Sequence, residues 1–121
     1  MELKNRPFAE RVRFALAGLW HAVRGERSVR TQLLALALVL AVLCYVRPAA
    51  LWWALLLLAS GAVIAAELMN TALERLADHL HPELHPQVRI VKDCAAAAVL
   101  VLALAALAVA AAFAASVAGR W

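Results

Sequence analysis

Two cysteines, four glycines and four prolines are all that 121 residues hold of the types that staple or punctuate a fold. Cys44 and Cys94 lie in or beside hydrophobic runs and have no CxxC spacing, so both read as inert packing residues and not as a disulfide or metal site. No GxxxxGK[ST] and no GxGxxG occurs, which excludes a glycine loop wrapped around phosphate. The first thirty residues carry charge throughout and lack an apolar stretch followed by a small-residue cleavage site, so no cleaved leader is expected. There is no tandem repeat and no low-complexity linker, and a single domain is expected over residues 1–121.

What the chain has instead is hydrocarbon. The apolar fraction is 66% and the mean hydropathy +0.81. Soluble domains run near 45–50% apolar, and a chain this short has no interior large enough for the excess. Lipid is the expected solvent. The formal charge of +4 would raise nucleic acid as a partner in a soluble protein. Here the basic residues crowd the N-terminal side, which points to anionic head groups and membrane topology, with no nucleic acid among the partners.

Residues 8–24 pattern as an amphipathic helix. Phe8, Val12, Ala15, Leu16, Leu19 and Val23 share one face, with Glu10, Arg13, His21 and Arg24 opposite. It is too charged to span and suits the membrane surface. Three spans are expected beyond it, over about 29–46, 49–80 and 89–117. The first is short, with Arg30 and Gln32 completing it at head-group level. Arg47-Pro48 breaks it, and Tyr45, Trp52 and Trp53 cluster at that turn as an interfacial belt would. The second span is apolar to Ala66 and then turns polar without a breaker. His79 to Gln87, with Pro82 and Pro86, reads as a loop. The alanine-dense third span allows close backbone approach within or between chains. The fold class is therefore all-α: three transmembrane helices behind a surface helix.

Charge sets the orientation. Lys4, Arg6, Arg11, Arg13, Arg24, Arg27 and Arg30 precede the apolar part of the first span, while the next turn has only Arg47. The loop before the third span carries Arg89 and Lys92. The positive-inside rule places the N-terminus and this second loop in the cytoplasm. Glu26, Glu67, Asn70, Glu74, Lys92 and Asp93 then all fall at the nucleotide-bearing side.

Glu67, Asn70, Glu74 and Asp78 stand at i, i+3, i+7 and i+11, one narrow stripe on a helix. A carboxylate at the bilayer centre costs about 2.5–3.5 kcal/mol on insertion scales, less near the interface. A solvated face would account for Glu74 and Asp78 but not for Glu67 and Asn70 on the same line. Glu67 and Glu74 are roughly 10 Å apart along the axis, too far to share one magnesium at about 2.0–2.1 Å. They must therefore differ in role: the carboxylate nearer hydrocarbon suits a general base on a lipid hydroxyl, and the one nearer water suits phosphate-bound magnesium. Glu26 is the natural second ligand beside Glu74. His79, His81 and His85 could suggest zinc, but two prolines interrupt the spacing and no cysteine joins them.

The run from Glu67 to Glu74, then Asp78, Glu83-Leu-His85 and Lys92-Asp93-Cys-Ala-Ala, together with Gly18-Leu19, Glu26 and Arg30, resembles the bacterial diacylglycerol and undecaprenol kinase family over about residues 14–100. The resemblance implies a homotrimer in the inner membrane with sites shared between subunits, ATP as co-substrate and Mg2+ as cofactor. It implies Glu67 as catalytic base with Asn70 orienting it, and Glu26 and Glu74 as metal ligands. Phe14, Glu83, His85, Lys92 and Asp93 would surround the nucleotide. Arg30 and Gln32 would lie with Glu67 near the lipid, Gln32 replacing a glutamate of the enteric diacylglycerol kinases. The expected reaction is phosphorylation of a membrane lipid alcohol, diacylglycerol first and undecaprenol as the alternative. A small oligomeric transporter coupled through Glu67 is the reading from another class; a non-catalytic membrane subunit is the third.

Overall fold

The computed structural model describes residues 4–120. Four helices follow in chain order: α1 Phe8–Gly25, α2 Arg27–Val46, α3 Ala50–Leu80 and α4 Pro86–Ala118, with no strand among the described residues. The all-α expectation, with three long apolar helices behind a surface helix, is met.

α1 begins after Pro7 and carries Glu10 in its first turn and Arg24 in its last, each favourable to the helix dipole. A single residue joins it to α2. Glu26 is extended (φ −123°, ψ 118°) and caps both helices. Its N–H donates to the Ala22 carbonyl at 2.8 Å, and its own carbonyl accepts from the Arg30 N–H at 3.3 Å. The Arg30 guanidinium then donates to the Val23 and Arg24 carbonyls at 2.9 and 3.1 Å. Those are the acceptors a helix end leaves without partners, so the corner is held from both sides.

α2 has 20 residues, about 30 Å at 1.5 Å per residue, which equals the hydrocarbon thickness. It stops at Arg47, a left-handed residue (φ 53°, ψ 57°) whose N–H donates to the Leu43 carbonyl at 2.9 Å. Glycine or asparagine usually takes that position, and a side chain with a Cβ there costs roughly 1–2 kcal/mol.

α3, with 31 residues, is about 46 Å long and must project beyond the hydrocarbon at one end. It is the central element, packed on α4 and α2 and touched by α1. α4 begins at Pro86, one turn before the expected start at Arg89. Pro86 is an N-terminal residue of the helix and not a breaker: the His85 side chain accepts from the Gln87 N–H at 3.1 Å, and proline suits the first helical turn because its missing donor would have no partner there.

The packed core is small. Leu43, Leu56 and Phe113 are buried together, with Trp52 edge-on to Phe113 at 5.5 Å between ring centres. The chain exposes 8915 Å², against roughly 6,300 Å² for a soluble globule of its mass. Leu34, Leu58, Leu100 and Leu107 are among the exposed apolar residues on the three long helices. Cys44 and Cys94 are free and exposed, both on outward faces of apolar helices. These surfaces fit hydrocarbon, and α2, α3 and α4 are each long and apolar enough to cross a membrane.

Candidate active site

The helical register of α3 sorts its polar stripe by depth. Glu67 is buried, with 6% of its surface exposed, as is Thr71 at 7%, while Asn70 and Glu74 are half-buried and Asp78 is exposed. Glu67 makes no hydrogen bond or ion pair with any described residue. Asn70 does not reach it. The Asn70 Nδ2 donates to Glu74 Oε1 at 3.4 Å, and Asn70 Oδ1 is buried without a partner. A buried acceptor left open is costly, of the order of 1–3 kcal/mol. Glu67 and Asn70, one helical turn apart, both have acceptor capacity to spare, which suits a hydroxyl donor.

Glu26 reaches the same end of α3. Its Oε1 accepts from the Arg75 guanidinium at 3.4 Å, so it lies against the residue that follows Glu74. Arg75 was not legible as a site residue in the sequence. Its only signal was a position next to the stripe, and its partner lies 49 positions away. Gly25 makes room for it: a Cβ there would stand 2.5 Å from the Arg75 Nη2. Between α1 and α3, Gly18, Ala22, Leu68, Thr71 and Arg75 line a groove of about 320 Å³ that runs beside Glu67's turn of α3.

The loop residues gather separately. Glu83, His85 and Lys92 line a small cleft of about 60 Å³ with Asp78 and Arg89. Lys92 Nζ donates to Asp78 Oδ1, and Arg89 pairs with Asp93 at 3.1 Å. Asp93 thus turns to its own helix and does not line the cleft. Phe14 is half-buried in a separate groove with Lys4 and Arg11. Gln32 lines an apolar groove of about 300 Å³ between α2, α3 and α4, with Ser60 and alanines of α3 and α4. Arg30 is committed to the carbonyls of α1.

Among the described residues no three His, Cys, Asp or Glu side chains converge, so one chain offers no all-protein metal cage. Magnesium does not need one. It keeps waters and is held by one or two carboxylates plus substrate phosphates. Glu26 and Glu74, half-buried at one end of α3, are a donor set that fits.

A buried carboxylate set at the base of a membrane helix, followed outward by amide, carboxylates and cations, defines a multi-pass membrane protein with a polar site at one face. The particular family follows from comparison. Residues 13–114 match the prokaryotic diacylglycerol kinase family. An undecaprenol kinase of Bacillus subtilis is 33% identical over 84 residues, covering 69% of this chain and 68% of the relative. A diacylglycerol kinase of Synechocystis is 37% identical over 90 residues (74% and 51%). One of Helicobacter pylori is 36% identical over 77 residues (63% and 60%). The chain belongs to the prokaryotic diacylglycerol kinase family and is an enzyme of the lipid-kinase class.

Proposed function

We propose that the chain transfers the γ-phosphoryl group of ATP to the hydroxyl of diacylglycerol at the cytoplasmic face of the inner membrane, with undecaprenol as the alternative acceptor. The observation that carries the reading is Glu67, a buried carboxylate without a partner among the described residues, one turn below the open Asn70 carbonyl. Relatives named for each acceptor lie at similar identity.

In this reading Glu67 takes the proton of the lipid hydroxyl as its oxygen bonds to the γ-phosphorus. The bond from that phosphorus to the β,γ-bridging oxygen breaks, ADP leaves, and the proton passes from Glu67 to water. Asn70 fixes the hydroxyl through its open carbonyl and holds Glu74 through its amide. Glu26 and Glu74 hold magnesium, which when bound neutralises charge on the phosphates. Glu83, His85 and Lys92 hold the nucleotide from the loop cleft, with Asp93 keeping Arg89 in place. Phe14 meets the nucleotide from α1. Gln32 lies along the lipid chain, and Arg30 keeps the α1–α2 corner shaped for the lipid.

The basic N-terminal segment supports a cytoplasmic N-terminus. The open apolar faces of the three long helices support a homotrimer with shared sites. Purified protein given radiolabelled ATP and each lipid in parallel tests the acceptor. Faster labelling of diacylglycerol is expected; preference for undecaprenol, or label in neither, overturns the assignment.

A further inference from the structure

The end of the bundle away from Glu67 carries a second polar feature. Arg47, Pro48, Trp52, Ser116 and Arg120 line a cavity of about 270 Å³ between the α2–α3 turn and the end of α4. From Ala50 to Glu67 is 17 residues of helix, about 25 Å, so this cavity is separate from the catalytic groups. Neither arginine has an ion pair or side-chain hydrogen bond with a described residue. No Asp or Glu side chain occurs between Glu26 and Glu67 or after Asp93.

The backbone at Arg47 adds an independent observation. It is the one positive-φ non-glycine residue described, placed where a helix cap ordinarily takes glycine. Strain held at one residue by its surroundings is a mark of function when something uses the side chain. Ser116 adds a hydroxyl and Trp52 an indole, a residue type that favours the membrane interface.

We propose that this cavity binds the phosphodiester head group of an anionic phospholipid, with the acyl chains running along the exposed apolar faces of α2 and α4. Basic pockets between membrane helices on the cytoplasmic side bind phosphate-bearing head groups, and the same pairing of guanidinium with phosphodiester is available at the opposite face. Guanidinium groups match phosphate oxygens in geometry as well as charge. A free phosphate ion shares the head-group chemistry but has no use for the apolar surface that adjoins the cavity.

Trp52 reports on the cavity directly. With Trp20, Trp53 and Trp121 replaced by Phe, quenching of Trp52 is measured in mixtures of brominated phosphatidylglycerol or brominated phosphatidylcholine with the unbrominated other lipid. The ratio of the two affinities at Trp52 is expected to favour phosphatidylglycerol. In Arg47→Gln/Arg120→Gln it should fall by up to roughly thirtyfold, about fivefold per arginine. Arg47→Gly separates binding from folding, because glycine relieves the left-handed residue: helix content stays and the ratio drops by about fivefold. Equal ratios in wild type and the double variant overturn the proposal. So does loss of the preference on adding inorganic phosphate, which would make the cavity a site for a free anion.

Discussion

Replacing Glu67 by methionine should make the protein more stable and inactive at once. Glu67 is buried and without a partner among the described residues. It lies 17 residues into α3, about 25 Å from a start at one edge of a hydrocarbon layer about 30 Å thick. That places it within about 5 Å of the far edge. A carboxylate costs about 2.5–3.5 kcal/mol at mid-membrane and less toward the interface, so about 1 kcal/mol is the share expected here. Methionine keeps the volume and removes that cost, raising the folded-to-unfolded ratio about fivefold. Loss of a general base lowers phosphoryl transfer by about 10²–10⁴-fold. Reversible unfolding in mixed micelles with a denaturing detergent reads the first effect, and initial rates with saturating lipid read the second. Glu67→Gln, nearly isosteric, should share the rate loss with a smaller gain in stability. A Glu67→Met protein that unfolds more readily than wild type, or turns over within a few-fold of it, refutes the reasoning: the carboxylate would then have a partner, or would not be the base.

Glu26→Ala and Glu74→Ala should each raise the magnesium concentration needed for half-maximal rate and weaken nucleotide binding; unchanged titrations in both would remove them from the metal site. A reporter fused at the C-terminal end should be active only outside the cytoplasm, as the proposed cytoplasmic N-terminus followed by three spans requires. Co-assembled Glu67→Gln and Glu26→Ala chains should regain part of the activity if sites are shared, because some interfaces inherit two intact halves. No recovery in mixed oligomers shown to form would give each chain a complete site.

Periodicity and breakers carried most of the fold. The bounds of α1 and α3 differ from expectation by one residue, because residues 8–24 alternate faces cleanly and Pro48 stops the chain sharply. The start of α4 was misplaced because proline has two meanings. After His85 it opens a helix, and only the His85 side chain bonded to Gln87 N–H tells the two apart. In the site, the i, i+3, i+7 stripe was legible because a helix converts spacing into a line. Contacts between helices were not. That Asn70 turns to Glu74 and that Arg75 holds Glu26 depend on side-chain choice and on the angle at which α1 leaves α2. No local pattern encodes either.

The one-residue corner at Glu26 also sets where the chain tolerates changes of length. Each helical residue turns the chain by 100°. One residue added to α1 or α2 near the corner would rotate α1 by that amount about its axis. Phe8, Val12 and Leu16, exposed on α1, would swing away from the lipid side, and Ala22 would leave its packing. The Arg30 guanidinium could no longer meet both the Val23 and Arg24 carbonyls. By contrast, the stretch from His81 to His85 joins α3 to α4 through non-helical residues, with Leu84 97% exposed, and an insertion there leaves both helices in phase. Changes of length should therefore be purged from the Glu26 corner for their effect on packing, whereas between α3 and α4 they act through Glu83 and His85 of the proposed nucleotide cleft and leave the bundle intact.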